Sequence, residues 1–354
     1  MVFLPVSHML VDAICAMMIV SGLRAHLLST GDFATAVTLY NALAFAMQAP
    51  LGLILDKWQN PRLAVILSFL ALAVSAAGLR YSPFAAIIIA GLANALFHLG
   101  GGTISFHYSP GKASMPGVFV APGDIGIVAG ILIGKSGSIS TLAAIPVLAL
   151  LAAVMFFIRL PRVDYSERTA EPSLPLERIL LLELVCIVVR SMIGTIAVFP
   201  WKKDPSLLLA LTTAIVIGKG TGGFLADRYG WILVPTAGLL ISAPILAFGR
   251  DFPELAIPGM LLFQMTMPVT LTALYKVLPG KPGFAFGLTC LALMIGLLPG
   301  SLPIKSFLNC NVSLLVLIII SAAALWTGLK LLFKNAVSNG EDAVTTIQLN
   351  QEVH

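Results

Sequence analysis

Gly52-Leu-Ile-Leu-Asp56-Lys57 and Gly223-Phe-Leu-Ala-Asp227-Arg228 are two copies of one short pattern. Each ends a long apolar run, sets a glycine four residues before an aspartate with a basic neighbour, and is followed by another apolar run; the first copy closes at Arg62. The aspartates, at 56 and 227, lie 171 residues apart in a chain of 354, close to half its length, so the chain reads as one unit used twice.

Composition decides the medium. Hydrophobic residues make up 58% of the chain and charged residues 10%, against about 45–50% and about 25% in soluble domains. So few charges cannot solvate a soluble protein of this size. A hydrocarbon core about 30 Å thick takes about 20 apolar residues per helix, and backbone groups in lipid must be satisfied internally. The alternating segments of about 10 residues that a barrel strand needs are absent. A net charge of +5 is no argument for nucleic acid, because the basic residues are scattered through the loops. Cys15, Cys186, Cys290 and Cys310 show no CxxC spacing and read as small buried packing residues. The first apolar run starts almost at Met1 without a basic leader and reads as a retained helix.

Outward from the repeated pattern, twelve apolar runs follow one another: 4–23, 34–55, 63–79, 83–106, 116–134, 139–158, 178–199, 206–226, 231–249, 254–275, 284–303 and 311–333. The fold class expected is all-α and integral to the membrane, with twelve helices in two pseudo-symmetric six-helix bundles. Residues 1–159 form the N-terminal bundle, 160–177 a cytoplasmic linker, 178–334 the C-terminal bundle and 335–354 a cytoplasmic tail. Lys and Arg in the loops set the orientation. Lys57, Arg62, Lys112, Arg159, Arg162, Arg168, Arg178, Lys219, Arg228, Lys276, Lys281, Lys330 and Lys334 fall on the side of the termini. Arg24, Arg80, Lys135, Lys202, Lys203, Arg250 and Lys305 fall on the other. The richer side is cytoplasmic, which predicts a multi-pass protein of the inner (plasma) membrane with both termini inside. Trp58, Trp201 and Trp231 sit at run ends, as interfacial aromatics do.

Twelve runs in two sixes, with the Gly-x-x-x-Asp signature at equivalent cytoplasmic loops, resemble the major facilitator superfamily. The resemblance implies two halves that rock about a midplane site. It assigns Gly52, Asp56, Lys57, Arg62, Gly223, Asp227 and Arg228 to the gate: the glycine lets a helix approach closely, and the aspartate faces a helix N-terminus or a basic partner. The first copy departs from the family pattern at Asn60 and Pro61, where a glycine and a basic residue are usual. A closer resemblance, to the branch of the fosmidomycin resistance proteins, rests on Ser7-His8-Met-Leu-Val-Asp12, Leu96-Phe97-His98, Arg190-Ser191 and Leu278-Pro279-Gly280-Lys281-Pro-Gly283-Phe-Ala-Phe-Gly287. Those proteins are drug-efflux antiporters. This chain has Leu99 where the branch has a proline, and a loose version of its glycine-rich motif at Pro122-Gly123-Asp124 with Gly126 and Gly130. These departures fall where substrate contacts are expected, so the drug substrate is not carried over.

Ionisable groups inside lipid persist only when paired or facing a cavity, which makes them the candidate functional residues whatever the family. His8 and Asp12 are four apart, on one helical face, and an imidazole one turn from a carboxylate exchanges protons near neutral pH: these are the proton-coupling candidates. Arg190, midway along the seventh run and always charged, requires a carboxylate or an anionic solute; Asp12 is one expected partner, across a central cavity. Glu183, two turns earlier on the same face, is expected either to pair with Arg190 or to sit at the cytoplasmic interface. His98, Asp124, Asn41 and Gln264 complete the solute-binding candidates; Gln48 and Asn94 read as amides that bridge helices. His107 and Lys112 are assigned to a cytoplasmic loop.

No nucleotide-binding loop, metal cluster or nucleophile constellation is legible. Gly100-Gly101-Gly102 ends an apolar run without a following Gly-Lys-Ser/Thr and reads as close helix packing. The expectation is a monomer that uses no cofactor and is not an enzyme. It works in a lipid bilayer on a small-molecule solute, driven by a proton or sodium gradient and independent of nucleic acid. Efflux of an anionic, zwitterionic or amphipathic compound by proton antiport leads; uptake of a metabolite and a non-transporting receptor are the alternatives.

Overall fold

The computed structural model describes residues 2–25, 29–166 and 174–338. Among these it is all-helical. Ten helices are long and apolar enough to cross a membrane: α1 (Phe3–Leu23), α2 (Gly31–Trp58), α3 (Pro61–Gly78), α4 (Pro83–Tyr108), α5 (Ser114–Ser136), α7 (Leu176–Ile196), α8 (Pro205–Tyr229), α10 (Pro253–Val277), α11 (Pro282–Ser301) and α12 (Asn311–Asn335). Two shorter apolar helices, α6 (Thr141–Phe157) and α9 (Leu233–Phe248), complete the set. Each falls on one of the twelve apolar runs, with ends displaced by at most three residues. The helix of α12 continues through Ser338, so the first residues assigned to the tail are helical. Residues 339–354, and 167–173 of the linker, lie outside the described residues.

Local chemistry sets the ends. Five helices begin on proline, at 61, 83, 205, 253 and 282, where the missing N–H is one that no helical partner would satisfy. Asn60 is an N-cap whose side chain accepts from the Leu63 N–H, with Pro61 directly after it and Gln59 at φ 54°. Asn60-Pro61 in the first signature is thus a helix stop followed by a helix start. Ser29 and Asp32 cap the start of α2 reciprocally. A π-helical turn at Ala42–Ala46 interrupts α2.

The chain forms two compact units. Unit 1 comprises Met1–Tyr108, Phe119–Tyr165 and Gly280–Leu291; unit 2 comprises Ser109–Val118, Ser166–Pro279 and the chain from Ala292 onward. Within unit 1, α3 packs on α4 and α6; within unit 2, α9 packs on α10 and α12. The most extensive pairing is α1 with α5 in unit 1. Gly126, Gly130 and Gly134 on α5 bring it against the Met9, Ala13 and Met17 carbonyls of α1. Both rows step by four residues, so backbone meets backbone at every turn. Gly126 and Gly130 recur 170 residues later as Gly296 and Gly300, which pack on Val188, Ser191 and Thr195 of α7 in unit 2.

The glycines of α4 are also packing residues. Gly100 lies against Pro61 and Val65, Gly101 against the Phe119 ring and Gly102 against the Phe286 ring. Unit 2 has its own apolar core, which includes Cys186, Val189, Ile193, Leu239, Leu246, Phe263, Ile318 and Leu325. Many large apolar side chains, among them Leu150, Phe156, Leu240, Ile241 and Phe307, remain exposed on the helices. Such a surface is stable against lipid and unstable against water.

Candidate functional site

In unit 1, α1 carries His8 and Asp12 on one face, and α4 presents Asn94 and His98, again four apart, toward them. His8 Nε2 is 3.1 Å from Asp12 Oδ2, and His98 Nε2 is 3.8 Å from Asp12 Oδ1. The two imidazoles meet nitrogen to nitrogen, Nε2 to Nε2, at 2.7 Å. Asn94 donates from Nδ2 to Asp12 Oδ1 at 2.9 Å. The outer nitrogens are held as firmly: His8 Nδ1 lies 2.7 Å from the Phe119 carbonyl and His98 Nδ1 2.9 Å from the Asn94 carbonyl.

The Phe119 ring stacks on the His8 ring with centroids 4.9 Å apart, and Phe97 closes another side at 6.0 Å. Gly123, in the first turn that follows Pro122 in α5, lies so close that an added Cβ would stand 2.7 Å from both Asp12 Oδ2 and His8 Nε2. Asp124, beside it, is within Coulombic reach of His8. The side chains of His8, Asp12 and His98 are 5%, 11% and 13% exposed. The cluster is therefore nearly dry, and His98 is its most accessible member. Two cavities of unit 1, about 200 and 330 Å³, are lined by Ser21, Arg80 and Thr141 and by Gln59, Arg62 and Tyr165, away from these groups.

Three donor atoms that converge this closely raise the question of a metal. First-row ions hold imidazole nitrogens at about 2.0–2.1 Å in tetrahedral sites, which sets neighbouring ligand atoms about 3.3 Å apart. The 2.7 Å nitrogen pair has the spacing of a hydrogen bond instead.

The repeated signatures dock onto backbone. Within unit 1 the Asp56 carboxylate accepts from the N–H groups of Gly283 and Phe284 at 2.7 and 2.8 Å, at the first turn of α11. A Cβ on Gly52 would stand 2.6 Å from the Gly283 carbonyl carbon, and Gly287 lies against the Gln48 carbonyl. Within unit 2 the Asp227 carboxylate accepts from Ala113 and Ser114, both at 2.9 Å, at the start of α5. Gly223 lies against Ala113, and Gly117 against the Lys219 carbonyl. Residues 48, 52 and 56 recur as 219, 223 and 227, and their partners 113, 114 and 117 recur as 283, 284 and 287. The same bond is made twice by the same repeat.

Trp231 adds a third donor at the second copy, its Nε1 2.9 Å from Asp227 Oδ1, and Lys276 lies 4.5 Å over its ring. Trp231, which the sequence places at a run end, is buried within the protein with its indole N–H on the carboxylate. Lys57 and Arg228 are exposed, while Arg62 donates to the Phe156 and Ile158 carbonyls at 2.8 Å each and so ties the start of α3 to the end of α6.

Several other expectations change. Glu183 is fully buried and neither of its oxygens has a hydrogen-bond partner among the described residues, so it does not pair with Arg190. Its neighbour is Gly328 of α12, where an added Cβ would stand 2.7 Å from Oε1. Arg190 is buried two turns further along α7, in the same unit. His107 belongs to α4, buried, with Nδ1 2.8 Å from the Thr103 carbonyl, and is no loop residue. Cys310 is exposed in the turn before α12, where it contacts Ser313, unlike the three buried cysteines. Asn41 and Gln264 are half-buried on α2 and α10.

His98, placed by the sequence among solute ligands, is bonded into the His8–Asp12 pair. Asn94 and Gly123 were not singled out for this site. The signal for Asn94 was its spacing of four from His98; nothing local marks Gly123, whose role lies in what faces it.

No family model matches the sequence, and no curated protein matches it. Among solved structures, the Escherichia coli fucose:proton symporter FucP superposes with a TM-score of 0.64 at 11% identity, covering 93% of this chain and 99% of that one. A second structure of FucP, described as a major facilitator superfamily transporter in the outward conformation, gives 0.65 at 11% identity with the same coverage. The nucleoside transporter NupG gives 0.50 at 15% identity, again over 93% and 99%. The fold of this chain is therefore the major facilitator fold, with twelve helices in two pseudo-symmetric bundles.

Proposed function

We propose that the chain is a secondary active transporter of a small organic solute, coupled to protons at Asp12 and His8. A single observation carries the reading: a carboxylate midway along an apolar helix, nearly dry, with two imidazoles and an amide converging on it. Ionisable groups are expensive at that depth, and a purely structural tie needs no titratable pair, let alone two histidines. In mechanism, the bundles 1–159 and 178–334 rock about a site between them, and the protonation state of the cluster sets which access state is preferred. Gly52, Asp56, Gly223 and Asp227 latch backbone segments in one state and release them in the other. Arg190, Glu183, Asp124, Asn41 and Gln264 are the solute-side candidates, and the buried guanidinium favours an anion or zwitterion.

The resemblance to the fosmidomycin resistance branch favours efflux by proton antiport. A second reading, proton symport, draws on the likeness in fold to FucP, a fucose:proton symporter. The excess of Lys and Arg on the side of the termini supports a place in the plasma membrane with both termini cytoplasmic. The test is a proteoliposome assay in which anionic, zwitterionic and cationic solutes are offered under an imposed pH gradient with a pH-sensitive dye inside. A solute-evoked proton flux is expected in the native chain and is lost in Asp12→Asn. A flux that survives the substitution removes Asp12 from the coupling.

A further inference from the structure

We propose that His8 and His98 share a single proton between their Nε2 atoms, so that His98 is a third member of the proton site and the shared proton is the one that moves. The inference rests on the proton-coupled reading for its purpose and on hydrogen-bond geometry for its content.

A backbone carbonyl only accepts. His8 Nδ1 faces the Phe119 carbonyl and His98 Nδ1 faces the Asn94 carbonyl, so both Nδ1 atoms carry hydrogen and donate. In neutral rings both Nε2 atoms would then be bare lone pairs, and bare lone pairs do not sit 2.7 Å apart. With both Nε2 atoms protonated, two N–H groups would point at each other across the same gap. Only one proton on the pair makes the contact a hydrogen bond.

That proton sits on His8 Nε2, from which it reaches His98 Nε2 at 2.7 Å and Asp12 Oδ2 at 3.1 Å. The imidazolium and the Asp12 carboxylate then sum to zero charge, which suits a pocket walled by Phe97 and Phe119. Asn94 satisfies the other carboxylate oxygen.

Loss of the proton changes more than charge. It leaves a net anion in a dry site and two lone pairs in contact, and both are relieved only if the rings part. The rings stand on α1 and α4, so the proton acts as a clasp between these helices: bound, it holds them; released, it drives them apart. His98 is the most exposed of the three. The remaining titratable groups around the site are Asp124 on α5, Tyr40 on α2, Cys15 on α1 and Cys290 on α11. Asp124 is the one carboxyl side chain among them, and it lies within Coulombic reach of His8.

The test is nitrogen NMR of the native chain in nanodiscs with ¹⁵N-labelled histidine, with His8→Gln and His98→Gln used only to assign the signals. Both rings are expected with Nδ1 protonated at every pH, and both Nε2 signals shift together in one transition that counts one proton. Separate transitions, or a bare Nδ1 on either ring, overturn the proposal. One equivalent of Zn²⁺ is expected to leave the signals in place; a stoichiometric shift of both Nε2 atoms makes the site a metal site and also overturns it. Joint titration together with a proton flux that survives Asp12→Asn upholds the shared proton and sinks the transport coupling. Separate titration with a flux lost in Asp12→Asn sinks the shared proton alone.

Discussion

Asp56→Asn should release the start of α11 from the first signature, and the structure sets the size of the effect. The carboxylate accepts two backbone N–H groups at 2.7 and 2.8 Å, each a hydrogen bond to a charged acceptor of the kind worth about 1.5–3 kcal/mol. It also meets the positive end of a helix, an interaction of about 0.3–1 kcal/mol. Asparagine is isosteric and keeps one acceptor oxygen, so one of the two bonds survives in weaker, uncharged form. Its amide nitrogen, however, is turned toward a backbone N–H that has no other acceptor. The net loss is about 2–4 kcal/mol, counting one charged bond and the helix-end interaction. At about 1.4 kcal/mol per factor of ten, the local opening equilibrium shifts by about 30- to 700-fold.

Hydrogen–deuterium exchange of the peptide containing Gly283 and Phe284 reads this directly, since those two amides are the ones released. Faster exchange there, with the amides of α3 unchanged, is the expected result. Unchanged exchange at Gly283 and Phe284 would refute the latch, because it would mean that the carboxylate charge does not hold those amides. Asp227→Asn should act in the same way at Ala113 and Ser114, but more weakly, because Trp231 Nε1 still donates to the side-chain oxygen.

Two further outcomes follow from packing and exposure. Gly126→Ala places a Cβ 2.9 Å from the Met9 carbonyl carbon and should lower stability by about 1–3 kcal/mol through overpacking; Gly78→Ala, with nothing within 4 Å, is the control, and equal melting midpoints for the two refute the α1–α5 packing argument. Cys310 is the exposed cysteine of the four, and the Ser313 hydroxyl holds its thiol below the usual range and so raises its reactive thiolate fraction. A membrane-impermeant maleimide should label it from outside intact cells and leave Cys15, Cys186 and Cys290 untouched; labelling only after the membrane is opened reverses the proposed orientation.

The fold was legible in the chain because lipid imposes its rule one helix at a time. Length, apolarity and the scarcity of charge mark each span locally, and the recurrence of Gly52–Asp56 at Gly223–Asp227 shows the doubling. Helix ends obey local chemistry as well: Asn60-Pro61 and Asp204-Pro205 each start a helix with a side-chain cap followed by a proline. The His8–Asp12 pair was visible too, since four residues make one turn.

What the tertiary structure alone decided is what meets across helices. Sequence periodicity places His98 on a face of α4 but cannot say which helix that face meets. It joins the His8–Asp12 pair because the α5 glycines seat that helix on α1 and because Phe119 and Asn94 supply carbonyls to the two rings. The isolation of Glu183, the burial of Trp231 and the exposure of Cys310 are likewise relations among distant residues. Local spacing sees one turn of helix, whereas a hydrogen bond across 90 or 227 positions is set only when the helices have packed.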